Sequence, residues 1–133
     1  MPHHANGSFE VKVAPLEPYV KNDKAVARYS LDKQFHGELE GTSQGEMLAF
    51  GTGASGSSGG YVAIEKFTGK LEGHSGSFVL QHSATMTKGK PDMNIFIVPD
   101  SGTGELAGIT GKMQIANDAG KHSYEFEYSL PSR

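Results

Sequence analysis

Three ionisable side chains share the inward side of alternating segments and could together carry out acid–base chemistry. Glu65 lies in the stretch Tyr61 to Leu71, where apolar residues recur at every second position, and it falls on the apolar side. His82 and His122 hold the same place in two later stretches with the same alternation. A carboxylate and an imidazole inside an apolar enclosure can take up and return a proton. These three side chains are therefore the first candidates for a reactive centre.

Tyr124 adds a hydroxyl donor to this inward set, because it follows His122 by two positions. In a catalytic interpretation, Glu65 is the general base or acid and either His82 or His122 moves the proton. Tyr124 then donates a hydrogen bond to an oxyanion that develops during the reaction.

Lys33 and Ser43 offer a structural explanation for the same carboxylate. Both occupy inward positions of the alternating run from Ala27 to Ser43. A buried carboxylate without a partner is driven to its neutral form, and its pKa rises by up to about 3–5 units. An ion pair between Lys33 and Glu65 avoids that cost. The sequence leaves open whether Glu65 is the partner of Lys33 or an acid–base group.

Glu65, His82 and His122 also contain the donor set of one kind of metal site. Two histidines and one carboxylate can bind iron or zinc. Such sites usually include a closely spaced pair, His-x-His or His-x-x-x-His, and the sequence contains neither. We therefore predict no metal and no other cofactor.

The remaining inward residues are mostly apolar, and phenylalanines are prominent among them. The four that the alternation directs inward are Phe35, Phe67, Phe78 and Phe126. An apolar hollow with a few polar groups is typical of a small-molecule site. We predict that these rings, with Lys33 and Ser43, contact a small and largely apolar molecule.

A glycine repeat indicates the architecture that positions these residues. The pattern Gly-x-Leu-x-Gly occurs at Gly37–Gly41, Gly69–Gly73 and Gly104–Gly108. Paired glycines on the inner side remove bulk where a strand coils sharply. The sequence therefore predicts an all-β fold: a single antiparallel barrel of about eight strands with an interior cavity and little or no helix. The run from Ala27 to Ser43 is too long for one straight strand, so we expect it to bend near His36 and Gly37.

Composition limits the domain count and the partners. The 133 residues suit one domain, 1–133, in which residues 1–6 are frayed and residues 51–60 form a flexible Gly/Ser loop. A net charge of -3 without a run of Lys or Arg argues against nucleic acid. The chain lacks an apolar stretch of about 18 residues, which argues against a membrane partner. It contains no cysteine, which fits the cytoplasm.

The segment Ser101 to Ile115 resembles the glycine-rich corner and following strand of allene oxide cyclase and dirigent-type barrels. The whole chain is similar to a small bacterial family of unknown function with that barrel, through Asp32-Lys33-x-Phe35-x-Gly37, Tyr61–Glu65, Gly76–His82 and Gly120-Lys-His122-x-Tyr124. The resemblance implies an eight-stranded barrel with an enclosed cavity and assembly into dimers or trimers. It implies no catalytic residue, because Phe9 to Pro15 offers no counterpart to the acidic and amide residues of the plant cyclase.

Three functions remain open from the sequence. The leading one is a cytoplasmic barrel that binds a small, largely apolar molecule. The first alternative, by analogy with the fold, is an isomerase or cyclase that uses Glu65 with His82 or His122. The second is a non-catalytic oligomeric assembly module, indicated by outward apolar residues: Val62, Ile64, Phe96 and Val98. The sequence identifies neither the ligand nor the number of subunits.

Overall fold

The segments in which apolar and polar residues alternate form the strands of one sheet, and this sheet closes on itself. The computed structural model describes residues 2–20, 26–51 and 57–131. Within these ranges all of the regular secondary structure is β-strand. The strands are β1 (His3–Leu16), β2 (Val26–Gly37), β3 (Leu39–Gly51), β4 (Gly59–Leu71), β5 (His74–Thr87), β6 (Lys90–Ile97), β7 (Thr103–Gly104), β8 (Thr110–Asp118) and β9 (Lys121–Ser129). None of the described residues forms a helix that could cross a membrane.

The strand order is β4-β3-β2-β1-β9-β8-β6-β5, and an additional pairing of β4 with β5 closes the ring. All of these pairings are antiparallel. The two-residue β7 pairs with β5 outside this ring. The predicted all-β, eight-stranded barrel is therefore confirmed.

One end of the barrel is filled by side chains, and we call it the closed end. Phe67 and Phe78 stack with ring centroids 5.0 Å apart, and Phe126 and Phe35 pack against them at 5.7 Å. Leu39 and Leu71 are fully buried beside the turns at this end. The phenylalanines thus form a solid core and do not line a hollow as predicted, because each ring fills the space beside the next one.

One glycine from each copy of the repeat lies in a row of paired glycines at the closed end: Gly41, Gly69 and Gly104, with Gly76 between the last two. Gly69 pairs with both Gly41 and Gly76, and Gly76 also pairs with Gly104. A Cβ atom at Gly69 would lie 2.2 Å from the carbonyl oxygen of Glu40. The backbones approach too closely for any side chain, so this row lets the strands coil around the aromatic core.

Three boundaries differ from the prediction. Residues 3–6 are not frayed, because they pair with β9 and bury Ala5. The run from Ala27 to Ser43 does not bend but reverses direction at Glu38, where Gly37 has a φ of 104° that favours glycine. Of the predicted loop 51–60, Gly51 and Gly59 belong to paired strands, and residues 52–56 lie outside the described residues.

Candidate functional site

Glu65 is buried inside the barrel next to the closed-end core, and its two oxygens contact side chains from neighbouring strands. Lys33 Nζ lies 2.9 Å from Glu65 Oε2, and the Ser43 hydroxyl donates a 2.6 Å hydrogen bond to Oε1. All three side chains are at most 6% exposed. The predicted ion pair between Lys33 and Glu65 is confirmed, and Ser43 stabilises the ionised carboxylate further.

His82 completes this group from β5, which pairs with β4. Its Nε2 atom lies 2.5 Å from Glu65 Oε2, within ion-pair distance. The geometry of this contact is not that of a hydrogen bond. Among the described residues, His82 Nε2 is a buried side-chain atom without a hydrogen-bond partner. We call Lys33, Ser43, Glu65 and His82 the Glu65 cluster.

Aromatic rings hold the lysine of the cluster in place. The ammonium group of Lys33 lies 5.1 Å from the ring centroid of Phe9 and 5.9 Å from that of Phe35. The negative faces of aromatic rings attract a cation at such distances. Lys33 is thus stabilised in a buried position by one carboxylate and two rings.

The cluster keeps Glu65 ionised. Burial by itself raises the pKa of this carboxyl, because it removes water from the charged form. The close contact with His82, the charge of Lys33 and the Ser43 hydroxyl outweigh burial and lower the pKa to about 2. At neutral pH Glu65 is therefore a charged acceptor.

This lowered pKa predicts an acid-dependent loss of stability. Because the pKa of Glu65 falls from 4.5 to about 2 on folding, its contribution is complete above pH 4.5 and is lost as the pH falls towards 2. The contribution is about 3 kcal/mol. Urea unfolding at several pH values should show a steeper acid loss for the wild type than for Glu65→Gln. Glu10→Gln, which alters an exposed pair with His36, is the matched control and should behave like the wild type.

His122 lies inward, as predicted, but on a more distant strand. Its ring packs against Phe9 with centroids 5.1 Å apart. Strand β1 separates β9, which carries His122, from β2, which carries Lys33. The ion-pair partners of Glu65 among the described residues are Lys33 and His82. The structure therefore brings His82 to the carboxylate and does not bring His122 there.

Tyr124 is fully buried, and its hydroxyl forms hydrogen bonds with backbone groups. The hydroxyl accepts a 2.9 Å hydrogen bond from the Leu39 N–H and donates a 2.8 Å bond to the His36 carbonyl. Leu39 is four residues from Ser43 along β3, which corresponds to about 13 Å. The predicted oxyanion role of Tyr124 beside Glu65 is wrong for this arrangement, because the hydroxyl secures the β2–β3 turn at the closed end.

The opposite end of the barrel is open and contains a cavity of about 550 Å³, which we call the mouth cavity. Its walls are mainly apolar and come from β3, β4, β5 and β6. The lining includes Met47, Ala49, Tyr61, Ala84, Met86 and Met93. Pockets of this size and character are typical small-molecule sites.

Tyr61 connects the mouth cavity to the Glu65 cluster, and the sequence prediction of the site omitted it. Its ring centroid lies 6.3 Å from that of His82. Burial and the negative charge of Glu65 raise the pKa of Tyr61, so the hydroxyl stays protonated. The signal was available, because Tyr61 has the same inward parity as Ala63 and Glu65.

The described residues contain no group of three or more His, Asp or Glu side chains placed to hold a metal ion. The two-histidine set considered above is not assembled, because His122 lies apart from Glu65 and His82.

Comparison with known proteins places the chain beside others of unknown function. A family model described as "Protein of unknown function (DUF3224)" matches residues 5–128. A crystal structure of a protein of unknown function from that family, from Shewanella oneidensis MR-1, is 45% identical with a TM-score of 0.91. The match covers 100% of both chains. A search of curated proteins finds no match.

Proposed function

Since the chain belongs to the DUF3224 family of unknown function, we propose that its barrel binds a small, largely apolar molecule in the mouth cavity. One observation carries the proposal: an apolar recess at the open end adjoins, through Tyr61, a buried ionic cluster. The cavity belongs to the open end, and the closed end is filled by the phenylalanine core.

The lining suits a ligand with an apolar body and one polar group. Met47, Met86 and Met93 are unbranched, and such side chains adjust to ligands of different shape. The Tyr61 hydroxyl has no hydrogen-bond partner among the residues that the structure describes, so it is available to a polar atom of the ligand. The ligand would bind with its apolar body between the methionines and its polar group at Tyr61.

Binding is supported better than acid–base catalysis. A general base works best when its pKa lies near the working pH, whereas the pKa of Glu65 is about 2. Both of its oxygens are already in contact with Lys33, Ser43 or His82. The Glu65 cluster is therefore a charged structural group beneath the mouth cavity. For this reason we do not propose the isomerase or cyclase alternative.

Two finer expectations belong to this proposal. The resemblance to allene oxide cyclase barrels extends to a ligand cavity within the barrel and carries no activity with it. We also retain a cytoplasmic location, which cell fractionation would test.

Ligand binding is tested by amide chemical shifts in two-dimensional NMR spectra. Heptanol and indole serve as probes, because each has an apolar body and one polar group. We expect saturable shifts for residues that line the mouth cavity and none for the closed end. Ala84→Phe fills the cavity and should weaken binding at least about 10-fold, because it removes the space for the probe.

Ala116→Phe is the matched control, since Ala116 is exposed on the outer face of β8. It should bind the probes as the wild type does. The proposal fails if neither probe shifts the residues around Tyr61, or if Ala84→Phe remains folded and binds them with unchanged affinity.

A further inference from the structure

The outer wall of the barrel carries a continuous apolar surface on β2, β3 and β4, which we call the outer patch. Its members are Val26, Leu48, Phe50, Val62 and Ile64, which are 48%, 48%, 59%, 53% and 54% exposed. Leu48 pairs directly with Val62, and Val26 pairs with Phe50. Strand pairing thus joins these side chains into one surface, unlike the scattered apolar residues that every protein exposes.

A groove of about 780 Å³ runs along this surface. Leu48, Val62 and Ile64 line it, and Tyr19 stands at its side on the segment that follows β1. Tyr19 is 99% exposed. A tyrosine that covers no part of its own barrel, beside an apolar groove, has the form of an interface anchor, since aromatic side chains dominate binding energy at interfaces.

The charges at the rim of the groove could pair with the same charges on a second copy of the chain. Arg28 and Glu46 face outward and form an ion pair of 2.7 Å, with side chains 40% and 57% exposed. The rim therefore presents one cation directly beside one anion. A copy of the same surface turned by a two-fold rotation can place its Glu46 near Arg28 and its Arg28 near Glu46.

We propose that a second copy of this chain covers the outer patch in a two-fold symmetric dimer, with Tyr19 of each copy inserted into the groove of the other. Tyr19 and the groove adjoin on one protomer, so reciprocal insertion closes the assembly at two copies. The assembly surface predicted from Val62 and Ile64 is thereby extended to β2 and β3. Phe96 is not part of it, because Gln81 on β5 lies between Phe96 and Ile64.

The available area suits a dimer of ordinary size. A stable interface buries about 800 Å² on each partner, roughly a tenth of the 8455 Å² that one barrel exposes. Five half-exposed apolar side chains and one fully exposed tyrosine supply on the order of 600 Å². The polar rim, which includes Arg28 and Glu46, supplies the remainder.

Sedimentation equilibrium over a range of protein concentrations tests the proposal. The wild type should sediment as a dimer. Ile64→Lys places a charge within the patch and should give a monomer, and Tyr19→Ala should raise the dissociation constant at least about 10-fold. Ser123→Lys adds the same charge as Ile64→Lys on the exposed outer face of β9, four strands from β4 around the ring. It should leave the dimer intact.

A wild type that is monomeric at every concentration overturns the proposal. So does a dimer that persists in Ile64→Lys or has the same dissociation constant in Tyr19→Ala. Circular dichroism checks that each variant is folded, and these outward residues can change without disturbing the barrel interior. The result can be distinguished from probe binding, because Tyr19 and Ile64, the residues varied here, do not line the mouth cavity.

Discussion

Replacing Lys33 with methionine is expected to lower the free energy of unfolding by about 3–5 kcal/mol. Methionine retains much of the volume and the contacts with Phe9 and Phe35 but removes the charge. Glu65 is then a buried carboxylate without its lysine, and His82 Nε2, 2.5 Å away, is an ion-pair partner only when the imidazole is protonated. The loss is large because the cost of removing the carboxylate from water persists after its main cation is gone.

Urea unfolding near neutral pH measures this loss. Combining Lys33→Met with Glu65→Gln should recover part of the stability, because the double variant no longer buries a carboxylate that has lost its lysine partner. A double-mutant cycle of Lys33→Met, Glu65→Gln and their combination then gives the coupling between the two side chains.

Glu10→Gln is the control for the loss of an ion pair as such. Glu10 pairs with His36 on the surface, where both side chains are about half exposed or more. Its replacement should change the free energy of unfolding by less than about 1 kcal/mol. A Lys33→Met protein as stable as the wild type would show that the buried pair makes no net contribution.

Gly45→Ala is the second substitution for which we expect a large effect. Gly45 pairs with Glu65 across β3 and β4. A Cβ atom there would lie 2.0 Å from the Ile64 carbonyl oxygen and 2.8 Å from Glu65 Cβ. The two strands must separate at the level of the Glu65 cluster, which should cost about 3 kcal/mol or more.

Thermal and urea unfolding of Gly45→Ala measure the cost, and Gly60→Ala is its control. At Gly60, also in this sheet, the nearest atom to an added Cβ is the Ala84 carbonyl oxygen at 3.2 Å. A shift of a few tenths of an ångström relieves this contact, so we expect a loss of about 1 kcal/mol or less. Equal stability of the two variants would contradict the close approach of β3 and β4 at Glu65.

The sequence by itself determined which side chains face the inside of the barrel. Successive side chains of a strand point to opposite faces, so the position of Glu65 among Ala63 and Phe67 was enough to place it inside. The same count placed Lys33 inward. Because a buried carboxylate needs a compensating group, an ion pair of Lys33 with Glu65 was one of the two interpretations that the residue types allowed, and the structure shows that pair.

Only the tertiary structure decided how far along the barrel each inward residue lies and which others it meets. His82 and His122 have the same parity, but strand order brings His82 to Glu65 and places His122 against Phe9. Tyr124 and the phenylalanines likewise face inward, yet they belong to the closed end. A period of two fixes the face of a strand but not its register or its neighbour. Register and neighbouring strand are set by pairing between segments that lie far apart in the chain. The same pairing forms the closed-end core and the mouth cavity.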